Sequence, residues 1–177
     1  MISRCVWPGE NLLYIDYHDN EWGVPIFDDQ KLFEFLILET FQAGLSWITI
    51  LRKRESFRKA FDNFDYNIIA NYNEEKFLEL VNNPHIVRNN LKIRAASTNA
   101  QAFIRIIEEF GSFSTYIWAF VDNKPIVNYF ETAEMVPAKT ELSDTISKDL
   151  KNRGFKFVGS TVIYAHMQAT GMVNDHT

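Results

Sequence analysis

The sequence predicts an all-α fold with short connections. Three observations carry that prediction. Apolar residues recur at helical spacing through most of the chain, strand-like alternation is weak everywhere, and capping residues stand before the periodic runs with glycines after them. A length of 177 residues suits one compact unit. A chain of this size can bury roughly 70% of its unfolded surface.

The elements follow in order. Residues 13–23, LYIDYHDNEWG, place Tyr14, Tyr17, His18 and Glu21 on one face if helical. That face is polar and aromatic, which suits a pocket wall; a core-facing stripe with satisfied hydroxyls is the other reading. Asp28 or Asp29 caps a helix that runs to about Ala43 and ends at Gly44. Ser46 caps the next, which carries Trp47, Ile50, Leu51, Phe57 and Phe61. Asn73 caps a short helix with Phe77, Leu78 and Val81. A long helix runs from about Val87 to Phe110, with Leu91, Ala95, Thr98, Ala102, Ile106 and Phe110 along one side, and stops at Gly111. A short helix over 114–121 leads through a turn at 122–125 into an irregular stretch as far as Pro137.

The end of the chain differs in kind. A helix over 142–152 stops at Gly154, the turn GFKFVG spans 154–159, and a second helix starts at Ser160 and runs to about Ala169. Two helices joined this way form a helix–hairpin–helix. The free N–H groups and positive dipole end of the second helix can hold a phosphate. Gly159 allows close backbone approach, and Lys156 and Arg153 add charge. A plain αα-hairpin packed for stability accounts for the same residues.

Composition narrows the class. Apolar residues make up 46% of the chain and charged residues 23%, the balance of an ordinary globular protein. A single cysteine, Cys5, excludes an internal disulfide and fits a reducing compartment. The N-terminus lacks the apolar stretch of a signal peptide, and no run approaches the roughly 18 residues of a membrane span. A cytoplasmic location is the expectation. The net charge of −5 argues mildly against nucleic-acid binding, yet the bases cluster. Groups lie at 52–59, at Arg88, Lys92 and Arg94, and at Lys148, Lys151, Arg153 and Lys156. Solvated helix faces are the plain explanation of such runs.

Glu39 is the residue that asks for a function. It stands in ILETFQAGLSW with Phe35, Leu36, Gln42 and Ala43 as helical neighbours, and Trp47 follows just past the break at 44–46. A carboxylate there is costly unless paired or used. Among aromatics it can receive hydrogen bonds from a polar ligand, act in acid–base chemistry or stabilise a cation. Pairing with an arginine is the alternative. Cys5, His18 and His176 are the plausible soft metal ligands, although their separations match no local zinc-finger spacing. His85 and His166 have no partners at ligand spacing, and His166 reads as structural.

Three strings, YIDYHDNEWGVP at 14–25, LETFQAGLSWITILRKRESFRKAF at 38–61 and RGFKFVGSTVIYAHMQATGMVNDH at 153–176, resemble the 3-methyladenine DNA glycosylase I family of the helix–hairpin–helix superfamily. The match runs in order from Cys5 to His176. The resemblance implies base-excision repair. The enzyme would bind double-stranded alkylated DNA, extrude 3-methyladenine and hydrolyse its N-glycosidic bond, leaving an abasic site without lyase activity. On the matching positions, Glu39 would bond the edge of the extruded base. Tyr17 and Trp47 would stack on it, and Trp7 and Tyr14 would complete the pocket. Gly44 and Leu45 would plug the gap in the duplex, and Lys156, Phe157, Val158 and Gly159 would grip the phosphate backbone.

The family's structural zinc would take Cys5, His18 and His176, with a fourth ligand just beyond Thr177. Asp175, beside that site, would be structural. Thr40 and Phe41 depart from the family pattern and would reshape the pocket slightly. The implied organisation is a helical core over 28–165, including the hairpin 153–159, and a zinc-bearing lobe of 1–27 with 166–177. A monomer without membrane contact is expected. A non-catalytic binder of damaged DNA is the alternative, and a hydrolase of free nucleosides fits the basic hairpin poorly.

Overall fold

A computed structural model describes residues 3–177. Its helices are α1 (Leu12–Asn20), α2 (Asp29–Gln42), α3 (Trp47–Ala60), α4 (Tyr66–Ile69), α5 (Glu74–Val81), α6 (Asn90–Phe110), α7 (Phe113–Ala119), α8 (Glu141–Asn152) and α9 (Ser160–Ala169). The centre is α2, in which nine of fourteen residues are buried. A helix apolar on every side is stable only when neighbours cover every side. Here α3, α6, α7 and α9 pack around it.

The caps work largely as their residue types predict. The side chains of Asp28, Asn73 and Asn89 accept from the Lys31, Lys76 and Lys92 N–H groups. Thr140 and Ser143 form a reciprocal capping box at α8. Ser46 instead spends its hydroxyl on Thr49 Oγ1 at 2.8 Å. The long helix starts at Asn90, later than the pattern suggests, and its buried stripe is wider. Ala95, Ala102 and Ile106 are buried as expected, but Leu91 and Phe110 at the two ends are exposed. The stripe centres on Ile93, Ala96, Ala100 and Phe103, because α4, α5 and α7 cover α6 along with α2.

The irregular stretch hides a pairing that the sequence does not show. Strand β1 (Ile126–Val127) lies parallel to β2 (Val173–Asn174). The Ile126 N–H donates to the Met172 carbonyl at 2.9 Å, and the Asn128 N–H to the Asn174 carbonyl at 3.0 Å. Two residues per strand are too few for any alternation to be legible. The pairing pins the end of the chain beside α1.

His166 ties α9 to α2. It is buried, and its Nε2–H donates to the Leu32 carbonyl at 3.1 Å. Burial holds its pKa down at about 4. The unfolded chain takes up a proton near pH 6.5 that the folded protein refuses until about pH 4. The contribution of His166 to stability should therefore fall by about 3 kcal/mol as pH drops through that window. Urea denaturation of the wild type and His166→Asn at pH 6.5 and pH 4 checks this: the stability difference between the two proteins should change by about that amount, while buried Glu39 titrates in the opposite sense in both.

Candidate active site

A cavity of about 390 Å³ lies between α1, α2, α3, α9 and the chain end. That volume falls in the range of small-molecule sites. Trp7, Tyr14, Tyr17, Trp47 and Glu39 all line it, so the structure gathers every residue that the sequence assigned to the base pocket. The rings pack edge to face or tilted: Trp7 to Tyr14 at 4.7 Å, Trp7 to Tyr17 at 6.4 Å, Tyr17 to Trp47 at 5.7 Å between centroids. Such a cage favours flat ligands and cations.

Glu39 projects from α2 into this cage and is 4% exposed. Its Oε2 has no hydrogen-bond partner among the described residues, nor has Trp47 Nε1. Native proteins rarely leave buried polar atoms unpaired without a use for them. Burial pushes the Glu39 carboxyl up to about 8. Its charge, when present, adds to burial in raising the Tyr14 and Tyr17 hydroxyls. Pairing with an arginine is ruled out by position: Arg54 binds Glu21 through both guanidinium N–H groups at 2.7 and 2.8 Å, and Arg58 binds Glu34 at 2.6 Å. The Glu21–Arg54 pair instead braces α1, which carries the tyrosines, against α3, which carries Trp47.

A second cavity of about 450 Å³ adjoins the first and shares Glu39, Gln42, Ala165 and Gln168 with it. Gly44 and Leu45 form its rim. Leu45 is 39% exposed, and Gly44 turns the chain there with φ +80°. An apolar side chain held at the mouth of a base-sized cavity is the shape of a wedge between base steps.

The chain ends meet behind the first cavity. The ligand atoms of Cys5, His18 and His176 lie within 4.8 Å of one another. His18 Nδ1–H donates to Asp19 at 2.8 Å, leaving a buried Nε2 without a partner among the described residues. His176 Nε2–H donates to the Trp22 carbonyl at 2.8 Å. Asp175 is buried and accepts from Tyr164, from Gln168 at 3.0 Å and from Asn128 at 2.7 Å. With its oxygens so engaged, it organises the wall.

The turn between α8 and α9 is held from below. Fully buried Asn99 receives the Lys156 N–H at 2.8 Å and donates to the Lys156 carbonyl at 3.1 Å. Ser147 donates to the Val158 carbonyl at 2.6 Å. Phe157 then stands exposed with φ 58°. Lys156 is exposed, and Gly159 precedes α9 with no side-chain cap. Two expectations change. The Val158 side chain is fully buried, so only its main chain can face a partner. Arg153 is tied to Glu109 at 2.7 Å and Asp149 at 2.9 Å over the rings of Phe110 and Tyr116. It braces the turn rather than offering a free charge.

Other residues appear only in three dimensions. Trp22, Gln42 and Gln168 line the first cavity, as do Ala133 and Val136 from the irregular stretch. Trp22 and Gln168 both stand in strings that carry the family resemblance, but neither residue type at its position points to a pocket. Thr40 and Phe41 line neither of these cavities. Thr40 bonds the Ile37 carbonyl at 2.6 Å, and Phe41 packs on Phe57 at 5.0 Å.

A helical scaffold with an aromatic cage, an unpaired carboxyl inside it and an exposed leucine lining the adjoining cavity is the build of proteins that take one base out of a DNA stack. Comparison with known proteins narrows this class. A family model described as methyladenine glycosylase matches residues 7–177, and the chain belongs to that family. It is 49% identical to a DNA-3-methyladenine glycosylase of Haemophilus influenzae, over 99% of this chain and 95% of that one. It is 47% identical to DNA-3-methyladenine glycosylase 1 of Escherichia coli, over 99% and 94%. A crystal structure of a substituted 3-methyladenine DNA glycosylase I in complex with 3-methyladenine shares the fold, with TM-score 0.96, 34% identity, and 99% and 94% coverage.

Proposed function

We propose that the protein releases 3-methyladenine from alkylated double-stranded DNA by hydrolysis of the N-glycosidic bond, as the first step of base-excision repair. The observation that carries this reading is Glu39, buried and unpaired among aromatic rings. 3-Methyladenine in DNA is a cation. Its arrival gives the Glu39 carboxylate the partner that the empty pocket lacks, and its charge favours ionisation of the carboxyl. A neutral adenine supplies no such pairing, so the pocket selects the lesion. Tyr17 and Trp47 offer faces for the ring. Leu45 fills the space that the base leaves in the duplex. As the bond breaks, the electron pair goes to the base and cancels its positive charge, so departure needs little general-acid help. Water then adds at the sugar carbon and gives up a proton. Binding an extruded base in a dry cage supplies much of the rate.

The α8–α9 unit would act as the helix–hairpin–helix that holds phosphates. An added Cβ at Gly159 would meet open space, and its φ of −59° suits any residue. The fold itself gives no reason for glycine there; close approach of a phosphate does. No lysine is among the described residues that line the pocket, and the enzyme is proposed to be monofunctional, without lyase chemistry. Under this reading the protein acts as a monomer in the cytoplasm. There is no helix among the described residues long and apolar enough to cross a membrane.

Cys5, His18 and His176 would hold a structural zinc that ties a lobe of 1–27 and 166–177 to the helical core. The fit rests on the free His18 Nε2 and on Asp19 and the Trp22 carbonyl, which orient the two imidazoles as outer partners of metal-bound histidines do. Zinc would order the wall behind Trp7 and take no part in bond breaking. Adding zinc to chelator-treated protein should raise the melting temperature by several degrees, with no such rise in Cys5→Ser.

The decisive assay is release of 3-methyladenine from methylated duplex DNA, followed by chromatography. Release is expected from the wild type, with at least a tenfold loss in Trp47→Ala. Duplex binding with no release would favour the non-catalytic reading and sink the enzymatic one.

A further inference from the structure

Lys92 stands apart from the other bases of its cluster. Arg94, two residues on, is spent on Glu74 at 2.5 and 2.9 Å. Lys92 is 8% exposed, and its ammonium has no carboxylate partner among the described residues. Burial alone lowers its pKa. The stem is packed while the ammonium is not among the fully buried polar atoms, and a partly desolvated amine without a counter-ion favours an anion. Its position says which one. The Lys92 ammonium sits 6.0 Å from the ring of Phe157, in the turn before α9. Lys92 and Asn99 lie two turns apart on the same face of α6, and Asn99 clamps the Lys156 peptide from that face. The turn that they touch leads directly into α9, whose N-terminus no side chain caps.

We propose that Lys92 is a DNA-phosphate ligand, joining a charge from α6 to the amides of the α8–α9 turn. This rests on the reading of that turn as a DNA-binding hairpin. A phosphate there meets the helix dipole, main-chain N–H groups and one ammonium whose long stem is already immobilised. Because the contact is to phosphate, it adds affinity without sequence preference.

The test is the salt dependence of binding to a fluorescent, undamaged duplex. Each neutralised phosphate adds about 0.9 to the slope of log affinity against log salt. Lys92→Met should lower the wild-type slope by about that amount, and Lys92→Arg should restore it. Arg94→Gln, which loses a charge already paired, should leave the slope unchanged. Lys92→Met keeps the packed stem and removes a partly desolvated charge, so its melting temperature should hold or rise; Lys92→Gln provides the same readout on a polar stem. Equal slopes for wild type, Lys92→Met and Lys92→Gln would overturn the assignment, as would equal losses in Lys92→Met and Arg94→Gln. Base release measured on the same samples separates the two readings. A wild type that binds duplex but releases no base loses the glycosylase function, while Lys92 still stands or falls on the slope.

Discussion

Glu39→Gln should yield a protein that is more stable at alkaline pH and at least about a hundredfold slower in base release. The kinetic loss follows from replacing a carboxylate by a neutral amide in a site closed to water. A charge-assisted bond to a cation there is worth about 3 kcal/mol, and each 1.4 kcal/mol is tenfold. The stability gain follows from the same burial. The folded protein keeps a proton on Glu39 up to about pH 8, while the unfolded chain releases it near 4.5. Between those values the folded state binds more protons, so wild-type stability falls as pH rises, by about 3–5 kcal/mol across the window. Glutamine does not titrate. Its own unpaired amide retains part of the burial cost, leaving an expected gain of about 2 kcal/mol at pH 9 and almost none at pH 5. Urea denaturation of both proteins at the two pH values measures it. A Glu39→Gln protein with full activity, or one whose stability keeps the wild-type pH slope, would show that Glu39 is neither the recognition group nor buried as described. The active site is thus held against a stability cost, as sites built for a specific charge often are.

This cost is also why Glu39 could be found from sequence. A carboxylate in an apolar helix breaks the local pattern, and such breaks concentrate at functional positions. Most of the helices were legible because capping residues and helical spacing agree at them; the four-residue α4 is too short to show a period. What stayed hidden depends on contacts between distant segments. The β1–β2 pairing is too short to leave a pattern. Asn99 reads as a neutral polar residue in a long helix, yet it holds both hydrogen-bonding groups of the Lys156 peptide. The tight turn between α8 and α9 was legible, but not that Arg153 is spent on Glu109 and Asp149, or that Lys92 has no carboxylate partner among the described residues. Charge counting along a sequence cannot distinguish a paired arginine from a free lysine.

Gly171→Ala should cost more stability than any other single methyl group added at a glycine of this fold. Gly171 has φ +77°, and a Cβ there would stand 2.4 Å from the Pro25 nitrogen and 2.5 Å from the Val24 carbonyl carbon. Both neighbours are main chain and cannot rotate away. They belong to the segment that stitches the N-terminal region to the end of α9, through the Gly23 N–H to the Gln168 carbonyl at 3.0 Å and the Ile26 N–H to the Thr170 carbonyl at 2.9 Å. Relief of the clash must break that stitching or move the chain end that carries Asp175 and His176. A loss of about 3 kcal/mol or more is expected, from strain and overpacking together. Gly111→Ala separates the two causes. Its φ is +88°, but an added Cβ meets nothing within 4 Å, so only the conformational cost of about 1 kcal/mol should appear. Gly159→Ala completes the comparison: neither φ nor contact opposes it, so stability should not change while duplex affinity falls. Equal losses for Gly171→Ala and Gly111→Ala in chemical denaturation would mean that the Val24–Pro25 segment yields freely. The N-terminal wall of the pocket would then be positioned by α1 and the Glu21–Arg54 pair, and not by its seam with α9.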